Sequence, residues 1–137
     1  MTTIKKGFQF ETTTKEIEVN GRAYKVDFSD DAMNRYMDVG NKMQTVMIEE
    51  QKLLESHGET LPIEVVKETQ IKQREAVKEV LEAFLGEGTF DDLYDMAGRS
   101  VINLLALVDY LNTFMDEQTF QKIEAKKEKY LKNKKTK

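Results

Sequence analysis

The stretch from Val101 to Met115 constrains the fold of this chain more than any other. Its run of apolar side chains is interrupted only by Asn103, Asp109, Asn112 and Thr113. As a helix it would be about 22 Å long, too short to cross a bilayer, which needs about 20 apolar residues. A helix that is apolar on nearly every side must be covered on nearly every side. The stretch is therefore either a central core helix or a helix with one flank covered by another chain.

Spacing within this stretch predicts which side faces the core. Leu104, Leu107 and Leu111 stand at i, i+3 and i+7 and share one side of a helix. We expect that side to be buried. The apolar surface left over, together with Phe8 and Phe10 near the N-terminus, predicts self-association.

Composition indicates one soluble domain, residues 1–137, with a real core. Charged residues make up 34% of the chain, and the mean hydropathy is -0.59. The absence of cysteine excludes disulfides, thiolate metal sites and cysteine nucleophiles, and it fits a reducing compartment. With no recognisable secretion signal or membrane segment, we expect a cytoplasmic protein.

The net charge of -4 conceals a strong asymmetry. Between residues 126 and 137, seven lysines face the single acid Glu128, a charge of +6 that leaves -10 on the rest of the chain. An acidic body does not suit a nucleic-acid-binding protein, whose phosphate contacts need a basic face. The basic end is either a solvated helix terminus or a binding arm.

The N-terminal region predicts a β-hairpin over residues 16–28, preceded by a flexible arm, residues 1–15. Polar and apolar residues alternate on both sides of Asn20-Gly21, a dipeptide typical of type I′ hairpin turns. Tyr24, Val26 and Phe28 would share one face. Residues 7–10 could instead form a loose strand, or an arm whose two Phe side chains dock elsewhere.

A helical body is predicted over residues 29–125. Ser29 can cap a helix from Asp30 to about Ser56, and Pro62 precedes a second from Ile63 to about Leu85. We expect these helices to form a long antiparallel hairpin whose second arm is mostly polar in its middle. Four methionines at or near helical spacing in the first helix predict either gap-filling core residues or an adaptable binding surface: Met33, Met37, Met43 and Met47.

Gly86-Glu87-Gly88 interrupts the helical pattern before a short helix. Thr89 would be the N-cap of this helix, and Asp92, three residues later, would complete a capping box. Gly86 should lie just past a helix end, where positive φ suits glycine. A last amphipathic helix, starting or continuing at Asp116-Glu117, would carry Phe120 and Ile123. The predicted fold class is mainly α (α+β), a helical bundle with a long antiparallel helical hairpin and an N-terminal β-hairpin.

The sequence predicts no catalytic, metal-binding or cofactor-binding residues. Neither a G-x-x-x-x-G-K-[ST] loop nor a G-x-G-x-x-G motif is present. The one histidine, His57, precedes Gly58 in a polar turn and has no partner at metal-ligand spacing. Acidic residues around Asp91 and Asp92 fit a solvated helix N-terminus. The residues therefore contain no constellation that argues for an enzyme.

Residues 84–94 read F-L-G-E-G-T-F-D-D-L-Y, and this segment resembles tail assembly chaperones of long-tailed bacteriophages and related prophages of Gram-positive bacteria. The similarity covers most of residues 23–126. It includes a strand ending in the phrase Y-K-V-D-F-S-D, a long charged helix, a helix ending in (I/L/F)-L-G-x-G-(T/S), and a final helix.

The resemblance implies a chaperone that coats the helical tape-measure protein, keeps it soluble and brings tail tube protein to it. Such proteins act by binding, need no cofactor and are absent from the mature virion. A coat on a long rod needs many copies, which suits self-association into open head-to-tail assemblies. Alternatives are a small phage structural or head-tail completion protein and a nucleic-acid-binding regulator using the basic end. The candidate residues for partner binding or oligomerisation are Phe8, Phe10, Phe84, Leu85, Phe90, Leu104, Val108, Leu111 and Met115.

The resemblance also implies a longer form made by programmed ribosomal frameshifting near the end of the reading frame. Lysine codons are rich in A, and two places could encode a slippery heptamer. Ala125-Lys126-Lys127 permits A-AAA-AAG, and Leu131-Lys132-Asn133 permits A-AAA-AAC.

Overall fold

The structure is a computed structural model that describes residues 6–135. Within this range, a two-stranded hairpin precedes five α-helices, and a short 3-10 turn joins the first two helices. This architecture confirms the predicted mainly α class. The elements are β1 (Thr14–Val19), β2 (Arg22–Asp27), α1 (Asp30–His57), α2 (Ile63–Leu85), α3 (Phe90–Met96), α4 (Val101–Gln118) and α5 (Phe120–Lys135).

The β-hairpin forms around the predicted turn. Asn20 and Gly21 have φ values of 50° and 81°, which is the pair of positive values that a type I′ turn needs. Ile17 lies opposite Tyr24, and both side chains are buried together with Val26. Packing against α2 covers this face, because two strands alone are marginal in water.

Strand β1 begins at Thr14, two residues before the predicted start. Residues 6–13, the described part of the predicted arm, form neither strand nor helix. A loose strand over residues 7–10 is therefore not found. Residues 1–5 of the arm and residues 136–137 of the basic end lie outside the described residues.

The two long helices form the predicted antiparallel hairpin. Ser29 caps α1 by accepting a hydrogen bond from the Ala32 N–H at 3.3 Å. At one end of the hairpin, the Tyr36 and Phe84 rings stack with centroids 3.9 Å apart. Farther along, Gln73 donates a hydrogen bond to the Glu50 carboxylate. Helix α2 has the predicted bounds, and α1 ends one residue later than predicted.

The hydrophobic core lies at one end of this helical hairpin. All buried residues of α2 belong to its second half: Ala76, Val77, Val80, Leu81, Phe84 and Leu85. The first half has none, and Ile71 is 55% exposed. The polar middle predicted for this helix is therefore solvated, while its C-terminal half meets the hairpin, α1, α3 and α4.

Helix α4 is not covered on nearly every side within the chain, so the first alternative, a central core helix, is not found. The second alternative, a flank covered by another chain, stays a prediction. Its buried residues are Leu104, Val108 and Leu111, whereas Leu107 is only partly buried. Ile102 is 79% exposed on the outer side. By helical spacing alone, either Leu107 or Val108 could share a buried side with Leu104 and Leu111. The packing of α4 against α2 places Val108 on the buried side.

Thr89 does not cap α3, contrary to prediction. Its hydroxyl instead donates to the Gly86 carbonyl at 2.6 Å. The Glu82 carboxylate accepts from the N–H groups of Gly88 and Phe90, at 3.0 and 3.2 Å, and so supplies the missing acceptor. Gly86 ends α2 with φ 117° and ψ 148°, which confirms the predicted positive φ.

Helix α4 continues to Gln118, past the predicted start of the last helix, and the chain bends at Thr119. From residue 120 to residue 133, every side chain of α5 is exposed. Phe120, Ile123, Tyr130 and Leu131 are all at least 46% exposed. Helix α5 thus continues the chain beyond α4 and adds nothing to the core. Over the described range, no helix is long and apolar enough to cross a membrane.

Candidate partner-binding surfaces

The predicted interface residues fall into two groups. Six are buried in the chain's own core: Phe84, Leu85, Phe90, Leu104, Val108 and Leu111. Met115 is partly buried, and Phe8 and Phe10 are 81% and 84% exposed. A partner can therefore contact only the last three without the core opening.

An apolar groove of about 620 Å³ lies between the start of α1 and the bend that joins α4 to α5. Its apolar lining consists of Phe28, Met33, Met37, Phe120 and Ile123. Charged and amide side chains stand among them: Asp30, Asn34, Gln118, Lys122 and Lys126. The volume is within the range of sites that enclose ligands.

A chain of hydrogen bonds fixes the α1 wall of this groove. The Asp27 carboxylate accepts from the Ser29 N–H at 2.9 Å and from the Ser29 hydroxyl at 3.0 Å. The Ser29 N–H is the main reason that the pKa of Asp27 lies below its usual value. Tyr36 donates its hydroxyl to the Asp27 carbonyl at 2.6 Å, and burial raises the pKa of Tyr36. These contacts hold Phe28 and Asp30 in position.

The opposite wall depends on the bend at Thr119. Its hydroxyl and its N–H both donate to the Met115 carbonyl, at 2.6 and 3.0 Å. Its own carbonyl accepts from the Ile123 N–H at 2.9 Å. Phe28 contacts Phe114 of α4 with ring centroids 5.5 Å apart, which ties the two walls together.

The N-terminal arm, residues 6–13, leaves the fold beside this groove. The Thr13 carbonyl accepts from the N–H of Phe28, a groove residue, at 2.7 Å. Farther out, Phe8 and Phe10 meet edge to face with centroids 4.8 Å apart. Neither ring lines the groove of its own chain. The molecule therefore presents an aromatic pair and an apolar groove, and neither fills the other.

A third surface is the outer face of α4. Ile102, Ala106 and Tyr110 lie at i, i+4 and i+8 and are exposed, Ile102 and Tyr110 by 79% and 51%. A row of this kind can accept the apolar face of another helix.

A fourth feature, which the sequence did not predict, is a cleft of about 450 Å³ between α1, α2, α3 and α4. The guanidinium carbons of Arg74 and Arg99 lie 5.7 and 4.7 Å from the Tyr94 ring centroid. Arg99 has φ 56° and pairs with Asp95 at 3.0 Å. The Nε of Arg74 is buried without a hydrogen-bond partner. Arg74, Tyr94 and Arg99 stand at separate positions outside any motif, so no sequence signal predicts that they lie together.

The described residues include no group of three or more His, Cys, Asp or Glu side chains placed to hold a metal ion. His57 is exposed at the end of α1, with its Nδ1 3.3 Å from the Leu53 carbonyl. Comparison of the chain with protein families, with curated proteins and with solved structures gives no match.

Proposed function

We propose that this protein is a tail assembly chaperone of a long-tailed bacteriophage or prophage. In this role it binds the tape-measure protein without catalysis and helps bring tail tube protein to it. The sequence resemblance of residues 84–94 suggests the role. The structural observation that carries the proposal is the uncovered helical surface formed by the outer face of α4 and by α5.

This surface suits a long helical partner. Helices α4 and α5 have 18 and 16 residues, so they extend about 27 and 24 Å at the α-helical rise. An exposed apolar row at helical spacing is the usual means by which one helix recognises another. Ile102 and Tyr110 would supply the anchors on α4.

The cellular setting follows from the same proposal. The chaperone would act in the cytoplasm of the bacterial host while tail tubes assemble, and it would be absent from the mature virion. A tape-measure protein is a long rod, so many copies must bind along it. Self-association of the chaperone would favour such a coat.

Co-expression with the tape-measure protein of the same genome tests the proposal. The wild-type chain should keep the tape-measure protein soluble and co-purify with it. Ile102→Glu with Tyr110→Glu should reduce that recovery severalfold, because two carboxylates would meet an apolar partner face. Ile63→Glu is the matched control, since Ile63 is 70% exposed at the start of α2, whereas the cleft beside Ile102 is lined by later residues of that helix.

Two results would contradict the proposal. Abundant chain in purified particles, detected by mass spectrometry, would favour a structural or head-tail completion protein. Steeply salt-dependent binding to DNA that disappears on truncation after Ala125 would favour a nucleic-acid-binding regulator.

A further inference from the structure

We propose that copies of this chain associate by arm exchange, in which Phe8 and Phe10 of one copy occupy the groove between α1 and α5 of a second copy. The inference is independent of the proposed function, because it concerns only how the chain binds itself. It assigns an occupant to the groove and a role to the arm.

The arm carries the apolar surface that such a contact needs. Phe8 and Phe10 are the two most exposed of the large hydrophobic residues described. Each buried aromatic side chain removes about 150–250 Å² from water, so docking the pair would remove roughly 300–500 Å². The two phenyl rings are separated by one residue and already in contact, so they form a compact anchor.

The groove has the chemistry that aromatic rings prefer. Met33 and Met37 line the α1 wall and Phe120 the other. Thioether sulfurs make favourable contacts with ring edges, and unbranched methionine side chains adjust to the shape of a ligand. The groove's volume of about 620 Å³ exceeds the small voids found in protein cores and leaves room for both rings.

Charges at the ends of the arm complement those of the groove. Lys6 precedes the aromatic pair and Glu11 follows it. Asp30 stands on the α1 wall of the groove, and Lys122 and Lys126 stand on the α5 wall. If Lys6 of the docked arm lies near Asp30, Glu11 lies toward Lys122 and Lys126 on the α5 wall. The reverse direction would put like charges together, so the charges select one orientation.

The position of the arm favours a second copy as the source of the rings. Thr13 is fixed at the Phe28 edge of the groove by the 2.7 Å hydrogen bond. Only Glu11 and Thr12 separate it from Phe10, and both rings lie outside the groove of their own chain. Exchange of an identical segment between neighbours is a low-cost route to association.

A mixing experiment with two variants tests arm exchange. The arm variant carries Phe8→Ser and Phe10→Ser, and the groove variant carries Met37→Lys and Ile123→Lys. All four side chains are at least 46% exposed, so the fold should survive. Light scattering should show association of the wild type, monomers of each variant alone, and pairs on mixing, because the mixture restores one intact arm and one intact groove.

Matched controls are Gln9→Ser in the arm and Ile71→Lys on α2, which should associate like the wild type. Three results would overturn the proposal. These are a wild type that remains monomeric at high micromolar concentration, variants that associate as the wild type does, and a mixture that remains monomeric while the wild type associates.

Cysteine cross-linking gives a second, independent measurement, because the chain has no cysteine of its own. Phe10→Cys and Met37→Cys, on separate chains, should form a covalent pair under mild oxidation with oxidised glutathione, since docking brings their Cα atoms toward disulfide range. Replacing Met37→Cys by Ile71→Cys should abolish the pair. A double variant that closes its disulfide within one chain would instead show that each arm fills its own groove, and the proposal would fail.

Discussion

At the scale of single residues, a few side chains set the backbone conformation of this chain through contacts with their neighbours in sequence. Asn20-Gly21 makes the expected turn, Ser29 caps α1 and Gly86 ends α2 with positive φ. Thr89 shows the limit of local reasoning. Its hydroxyl is taken by the Gly86 carbonyl, and the acceptor for α3 comes from Glu82, a residue of the preceding helix.

The first prediction contrasts two glycines. Gly86→Val should destabilise the fold by about 1–3 kcal/mol, because φ 117° and ψ 148° are open almost only to glycine. Crowding is not the cause, since an added Cβ would lie 3.7 Å from Thr89 Cγ2, an ordinary contact. Gly40→Ala, inside α1 with open space around it, should instead stabilise by about 0.5–1 kcal/mol. Urea unfolding measures both changes, and equal effects would contradict the assignment.

The second prediction concerns pH. The folded pKa of Asp27 is lowered, chiefly by the Ser29 N–H, so its carboxylate stabilises the fold above the unfolded pKa of about 3.9. That contribution is lost as pH falls from about 4 through the lower folded value. The unfolding free energy of Asp27→Asn should therefore fall less between pH 7 and pH 3 than that of the wild type. Asp38→Asn, at an exposed position of α1, is the control, and parallel curves for Asp27→Asn would refute the role.

At the scale of elements, the sequence predicted where the helices begin and end better than which side of each helix faces the core. Periodicity and breakers placed both ends of α2 and the start of α1. Rotation of α4 about its axis depends on which residues α2 and the hairpin present to it, and no local signal carries that information. No glycine or proline lies near Thr119, so the sequence does not predict the bend there.

The third prediction follows from this rotation. Leu104→Ala should cost about 2–5 kcal/mol, because a fully buried leucine leaves a cavity. Leu107→Ala should cost clearly less, since that side chain already reaches solvent. Melting temperatures of the two variants provide the comparison. Equal decreases in melting temperature would instead indicate that Leu107 faces the core.

At the scale of the whole molecule, the sequence does not distinguish the apolar candidates that are exposed from those that are buried in the core. Phe8 and Phe10 are exposed as an arm, whereas Phe84, Leu104 and four other candidates serve the core. An apolar residue has the same local signature in both roles. The sequence leaves open whether Met33 and Met37 fill the core or form an adaptable surface. Their position opposite Phe120 and Ile123 depends on the bend after α4.

The fourth prediction concerns the gene. If this chain has the longer form that its resemblance implies, the codons for residues 125–127 or 131–133 should contain a slippery A-rich heptamer. An open reading frame should overlap there in the shifted frame. The nucleotide sequence decides this directly, and absence of both heptamers would exclude the mechanism for this protein. A lysine-rich helix end would then reflect only the favourable interaction of cations with the helix dipole.

Because α5 is exposed, it should unfold locally more readily than the helices that form the core. A helix whose side chains from residue 120 to residue 133 are all exposed has little tertiary packing to oppose local unfolding. Its amide hydrogens should exchange with deuterium far sooner than those of the second half of α2, where opening requires loss of the core. A partner lying along α5 would slow that exchange. Deuterium uptake in α5 would then report, residue by residue, when the helix is covered.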